Sequence, residues 1–205
     1  MTTLSLADNK IVTMDPSVFV NVNVSDLDVS HNRIQSLHPV LLSSLNRTLR
    51  SLKIGGNRLQ ASHLWSAVLS PGVGLNLRVL DVSDMALGPS DQHFQLDLFS
   101  FQKHLKSLNV SGTQLDLLPV EMVRSLPALK ELDLSRNQLT SLTDETVHVL
   151  ASLLHLVTNS STVNLASMAS MASMASVASL ASMTRRGRRR WIQSNPISSD
   201  EKALD

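Results

Sequence analysis

One recurring pattern restricts this chain to a stack of short, similar units. The stretch LKELDLSRNQL, residues 129–139, places Leu129, Leu132, Leu134 and Leu139 around a single amide, Asn137. The same spacing, L-x-x-L-x-L-x-x-N-x-L, returns upstream. MTTLSLADNKI carries Leu4, Leu6, Asn9 and Ile11. VSDLDVSHNRI carries Val24, Leu27, Val29, Asn32 and Ile34, and LRSLKIGGNRL carries Leu49, Leu52, Ile54, Asn57 and Leu59. Two further copies replace the amide, LRVLDVSDMAL with Met85 and LKSLNVSGTQL with Thr113. A weaker seventh copy, ASLLHLVTNSS, keeps Leu154, Leu156 and Asn159 but lacks the first and last apolar positions. Successive amide positions are 23, 25, 28, 28, 24 and 22 residues apart. Periods of this size belong to solenoids, whose units bury their apolar sides only against neighbours.

Within each unit the periodicity changes. In LDLSRN, Leu132 and Leu134 alternate with Asp133 and Ser135, which predicts a strand with one buried face. The return segments VLLSSL (40–45) and HLWSAVL (63–69) space their apolar residues as short helices do. The amide has a physical task where the chain leaves the strand. Backbone groups there lack ladder partners, and a buried amide both donates and accepts. Asn9, Asn32, Asn57 and Asn137 are therefore expected to form a structural ladder bonding their own and neighbouring turns. Leaving such a group unmatched costs about 1–3 kcal/mol. Met85 cannot replace these bonds and Thr113 replaces fewer, so the turns around them are expected to be the loosest.

These copies resemble the leucine-rich repeat family over roughly residues 1–160. The resemblance implies an α/β fold: a curved leucine-rich-repeat solenoid with one short parallel strand per repeat on the concave face. It also implies protein binding as the usual activity. On that face two outward columns are expected. One reads Thr2, Ser25, Arg50, Arg78, Lys106, Lys130; the other reads Ser5, Asp28, Lys53, Asp81, Asn109, Asp133. A basic row would then run beside a mostly acidic one. Cross-strand pairing on a solvated sheet accounts for it, as does a docking surface for a charge-patterned protein. The candidate binding residues are Arg50, Arg78, Lys106, Lys130, Asp28, Lys53, Asp81 and Asp133.

Composition narrows the function classes. Six of the 18 basic residues and three of the 17 acidic ones lie in 185–205, which leaves the preceding body at a net −2. That body is not a polycation, and no nucleic-acid partner is expected. The chain has no Cys, so disulfides, thiolate metal sites and a cysteine nucleophile are absent from it. No HExxH, GxxxxGK[ST] or GxSxG occurs, and the seven His are scattered without metal-ligand spacing. An enzyme is not expected, and no cofactor or metal is implied. Sequons at Asn23, Asn46, Asn109 and Asn159 give weak support for an extracellular setting.

Beyond the repeats the composition shifts. Residues 161–183 form an Ala/Ser/Met low-complexity segment, with ASMASMASMASVASLAS at 166–182. Its three-residue period suits neither helix nor strand, which points to disorder or loose helix. The uncharged run 163–183 followed by RRGRRRW also fits a weak transmembrane helix with a basic flank, so membrane contact through 163–190 stays open. Residues 184–205 are expected to be a basic, disordered tail. Its Arg185–Arg190 cluster suits a solvated tail, an import signal, a protease-sensitive site or an anionic-lipid patch.

Leu4 and Leu6 already fit a strand, so the expectation is either a piece of a longer receptor-like protein or a cytosolic solenoid covered by other means. The first places the parent protein at the cell surface or membrane, and the second places the chain in the cytoplasm. The corresponding functions are a receptor- or adhesion-type recognition module and an intracellular scaffold or regulator of a signalling enzyme. No particular oligomeric state is implied.

Overall fold

The computed structural model describes residues 2–60, 64, 76–88, 102–118, 120–139, 145–146, 149–150 and the backbone of 162–164. Seven three-residue strands form one parallel sheet in chain order. They are β1 (Thr3–Ser5), β2 (Asp26–Asp28), β3 (Ser51–Lys53), β4 (Val79–Asp81), β5 (Ser107–Asn109), β6 (Glu131–Asp133) and β7 (Thr162–Asn164). Sequential neighbours in a parallel sheet need a return segment between strands. Two described helices lie on such returns: α1 (Pro39–Ser43) after β2 and α2 (Val120–Arg124) after β5.

The register follows the leucine pattern. Leu4, Leu27, Leu52, Leu80, Leu108 and Leu132 stand opposite one another along the sheet. Each is the strand's central residue, and all but Leu4 are fully buried. Their neighbours Val29, Ile54, Val82, Val110 and Leu134 form a second buried column. Pro39 opens α1, where its missing N–H costs nothing. Leu41, Leu42 and Leu45 then turn into the core while Val40 stays outside. Met122 and Val123 of α2 are buried in the same way. One continuous core thus lies between the sheet and the return segments. Leu4, Leu6, Ile11 and Met14 are only partly buried, unlike their counterparts Leu27, Val29, Ile34 and Leu37.

The seventh strand corrects the repeat assignment. Val163, not Leu154, stands opposite Leu132. The sheet therefore continues past residue 160, where the sequence ended the repeats. VNL and LHL offer the same apolar alternation, and the missing flanking leucines left the sequence without a register marker. Leu154, Leu156 and Asn159 lie outside the described residues, as do the helix expected from HLWSAVL apart from Leu64, the low-complexity segment beyond Asn164, and the basic tail. Among the described residues no helix is long and apolar enough to cross a membrane.

Candidate interaction surface

Below, each turn carries the number of its strand. The asparagines hold the turns together from inside. Asn32 Nδ2 donates to Leu6 O of turn 1 at 2.8 Å and to Val29 O of its own turn at 3.1 Å. Its Oδ1 accepts from Ile11 N–H at 2.9 Å. Asn57 repeats this toward turn 2, donating to Val29 O at 3.0 Å and accepting from Ile34 N–H at 3.0 Å. Asn137 does so toward turn 5, donating to Val110 O at 2.8 Å and accepting from Thr113 and Leu115 N–H. These three are buried, so their side chains are not available to a ligand. Asn9 is exposed and bonds only Leu6 O and Ala7 O of its own turn. In turn 5, Thr113 Oγ1 reaches its own Val110 O at 2.8 Å. In turn 4, Met85 is buried and has no amide to offer.

The residue before each of these positions adopts positive φ: Asp8 57°, His31 53°, Gly56 67°, Asp84 53°, Gly112 65° and Arg136 57°. This column turns the chain out of β1 to β6, and sequence reasoning missed it. Its residue types are mixed, and only the two glycines signal the left-handed conformation. The glycines also make room. A Cβ on Gly56 would stand 2.4 Å from His31 Nδ1, and one on Gly112 would stand 2.4 Å from Asp84 Oδ1. Across Gly112, Arg136 reaches Asp84 with two N···O contacts of 3.0 and 3.1 Å.

The acidic column has a structural task of its own. Asp28, Asp81 and Asp133 each accept the backbone N–H two residues on, from Ser30, Ser83 and Ser135, at 2.9–3.1 Å. Asn109 does the same for Ser111 at 3.0 Å. These Asx turns use one oxygen of each side chain. The D-x-S and N-x-S spacing in LDVS, LNVS and LDLS was the available signal. The remaining Oδ2 atoms face along the column: Asp81 accepts from Asn109 Nδ2 at 3.2 Å, and Lys53 Nζ lies 4.0 Å from Asp28. At that distance and exposure the Lys53 pair contributes well under about 1 kcal/mol.

The basic row does not lie directly beside the acidic one. Side chains flanking a buried strand centre share the outer face, so Thr3, Asp26, Ser51, Val79, Ser107 and Glu131 form a third column between the two. Sequence reasoning passed over it by taking outward positions from the motif rather than from strict alternation. Arg50, Arg78, Lys106 and Lys130 instead form the N-terminal rim of the sheet. Their backbones are tied turn to turn: Arg78 N–H donates to Arg50 O, Lys106 N–H to Arg78 O and Lys130 N–H to Lys106 O, at 2.7–2.8 Å. The guanidinium of Arg50 is half-buried against the carbonyls of Arg47 and Leu49. Arg78, Lys106 and Lys130 are exposed, and among the described residues no hydrogen bond or ion pair engages their side chains.

Away from the sheet, the Ser17 hydroxyl and backbone N–H hold the exposed Asp15 carboxyl below its ordinary range. Among the described residues no cluster of three or more His, Cys, Asp or Glu could hold a metal ion.

Known proteins resemble this chain in sequence and fold. The family model described as leucine rich repeat matches residues 1–59 and 103–160. Chaoptin of Drosophila melanogaster is 30% identical over 146 residues, covering 64% of this chain and 11% of chaoptin. The transforming growth factor beta activator LRRC33 of Danio rerio is 27% identical over 179 residues, covering 77% of this chain and 26% of that protein. The chain thus spans a small part of these relatives. Among solved structures, the Drosophila Toll–Spatzle complex superposes with a TM-score of 0.59 at 24% identity, covering 80% of this chain and 22% of that one. Motif, register and family match agree: the chain belongs to the leucine-rich repeat family.

Proposed function

We propose that this chain is a protein-recognition module that engages its partner through the outer face and rims of the seven-stranded sheet. Leucine-rich repeat domains are protein-binding modules, which sets the class. One observation carries the placement. Two outward columns stand in register, with the basic rim beside them, on a backbone whose inner side is fixed by buried leucines throughout and by asparagines in turns 2, 3 and 6. Such rigidity lowers the ordering cost of binding. The chemistry of the module is recognition. Arg50, Arg78, Lys106, Lys130 and the carboxylates of Asp28, Asp81 and Asp133, with Lys53, supply its charge pattern.

The setting proposed is a receptor or adhesion protein. LRRC33 is a growth-factor activator by name, and the Toll–Spatzle structure is a complex. One observation favours an intracellular scaffold or enzyme regulator instead: the chain has no cysteine. Carbonate washing of native membranes separates the two, with retention in the pellet expected for the first and release for the second.

Photo-crosslinking side chains at Val79 and Ser107, compared with one at the exposed Val40 of α1, test the surface. A partner adduct at the sheet positions and none at Val40 is expected in native extract. The reverse pattern would overturn the placement.

A further inference from the structure

The acidic column is held in turns, while the side chains of Arg78, Lys106 and Lys130 on the basic rim have no partner among the described residues. The described segments that precede β3 to β6 are 44–50, 76–78, 102–106 and 125–130. They carry Arg47, Arg50, Arg78, Lys103, His104, Lys106 and Lys130, and no Asp or Glu. Arg47 and Lys103 stand at equivalent places, three residues before the row, so the rim is two cations deep at turns 3 and 5. Adjacent strands are about 4.8 Å apart, so the four row positions span about 14 Å. Among the described residues, Asp26 and Glu131 of the intervening column stand at the two ends of the row.

We propose that this rim is a binding site for a linear sulfated glycan laid across the strand ends. Charge density decides against an acidic peptide as the occupant. An extended peptide crossing the strands turns a side chain to one face only about every 6.7 Å, so at most about three carboxylates would meet the four row cations. A sulfated polysaccharide carries several anionic groups per pair of sugars and saturates the row. The surroundings agree. Phe19 is the one Phe, Trp or Tyr among the described residues, and it is buried, so nothing described here stacks on a nucleobase. The acidic column lies three residues along the strand, about 10 Å away, and its repulsion confines a polyanion to the rim. The site does not depend on the protein partner proposed above, since it is assayed with the glycan alone.

The test uses the full chain with Arg185, Arg186, Arg188, Arg189 and Arg190 changed to Gln, which removes the tail's own attraction for anions. Heparin binding is measured by calorimetry over a salt series. Submicromolar binding that weakens steeply with salt is expected. Arg78→Gln, Lys106→Gln and Lys130→Gln together should weaken it at least tenfold, while the exposed control pair Arg33→Gln and Arg58→Gln changes it less than twofold. The neutral substitutions avoid new charge repulsion, and an unchanged circular dichroism spectrum confirms folding. No binding by the tail-neutralised chain, or equal losses from rim and control, would overturn the site. Equal affinity for poly-glutamate would transfer the rim to acidic proteins and overturn the glycan assignment. Equal affinity for duplex DNA would do so in favour of nucleic acid.

Discussion

Two kinds of junction hold this solenoid together, and they differ in chemistry. Turns 1–2, 2–3 and 5–6 are joined by a buried amide that donates to one turn and accepts from it. At turns 3–4 and 4–5 the amide is replaced by Met85 and Thr113, and those junctions rely on strand bonds and apolar packing. The leucine columns run through both kinds without interruption. Hydrophobic burial is non-directional, so it can hold turns together without fixing how one is rotated on the next. The amides supply that direction. The substitutions therefore concentrate the weaker geometric control in the middle of the molecule.

The largest expected difference lies at Asn137. Asn137→Ala takes the donor from Leu134 O and the acceptor from Leu115 N–H and Thr113 N–H in a buried site, and should cost about 3 kcal/mol. Met85→Leu keeps volume and loses no amide bond, so it should cost under about 1.5 kcal/mol. Urea unfolding midpoints measure both. Equal losses would mean that the amide adds nothing beyond volume. The same contrast appears in hydrogen exchange. Ile34 and Leu115 N–H are held by asparagine oxygens, and should exchange more slowly than their counterparts Leu59 and Leu87. Strongest protection in the turns of Met85 and Thr113 would refute the looser middle.

Glycine positions sharpen the comparison next. Gly112→Ala places a Cβ at positive φ and against Asp84 Oδ1, and should cost about 2 kcal/mol. Gly88→Ala has similar strain, at φ 78°, but meets nothing within 4 Å, and should cost about 1 kcal/mol. The difference isolates the crowding at the surface of turn 5.

Much of this was legible in the sequence, because the information is periodic. Leu27, Leu52, Leu80, Leu108 and Leu132 recur at the strand centres with their register intact. What was not legible depends on geometry rather than residue type. The positive-φ column contains Asp, His, Gly and Arg, so composition does not reveal it. The acidic column reads as a charged surface, yet each carboxylate closes a local turn. The seventh copy lost its register because ASLLHLVTNSS lacks the flanking apolar residues that fix the other six.

Turn closure and charge separate at Asp133. Asp133→Asn keeps the acceptor for Ser135 N–H, as Asn109 already does for Ser111, and should leave stability within about 0.5 kcal/mol. Asp133→Ala removes the acceptor and should cost about 1 kcal/mol. A thermal unfolding series resolves the pair. If both behave alike, the column is a charge feature only. If they differ as expected, Asp→Asn changes at positions 28, 81 and 133 become clean probes of binding.

The smallest effect is expected where the surface reconnects what the interior leaves unlinked. Arg136 of turn 6 reaches past Gly112 of turn 5 to Asp84 of turn 4, which joins the two turns without asparagines to one that has it. The pair is two-pronged, but its side chains are 60% and 38% exposed. Solvent screening therefore limits its coupling to about 0.5 kcal/mol. A double-mutant cycle with Arg136→Gln and Asp84→Asn measures that coupling, and 1 M salt should abolish most of it. Its structural reach should exceed its energy. The pair spans both sides of turn 5, so either substitution should speed amide exchange at Leu87 while leaving Ile34 unchanged. Unchanged exchange at Leu87 would mean that the pair is a surface contact, and that apolar packing alone orients turn 4.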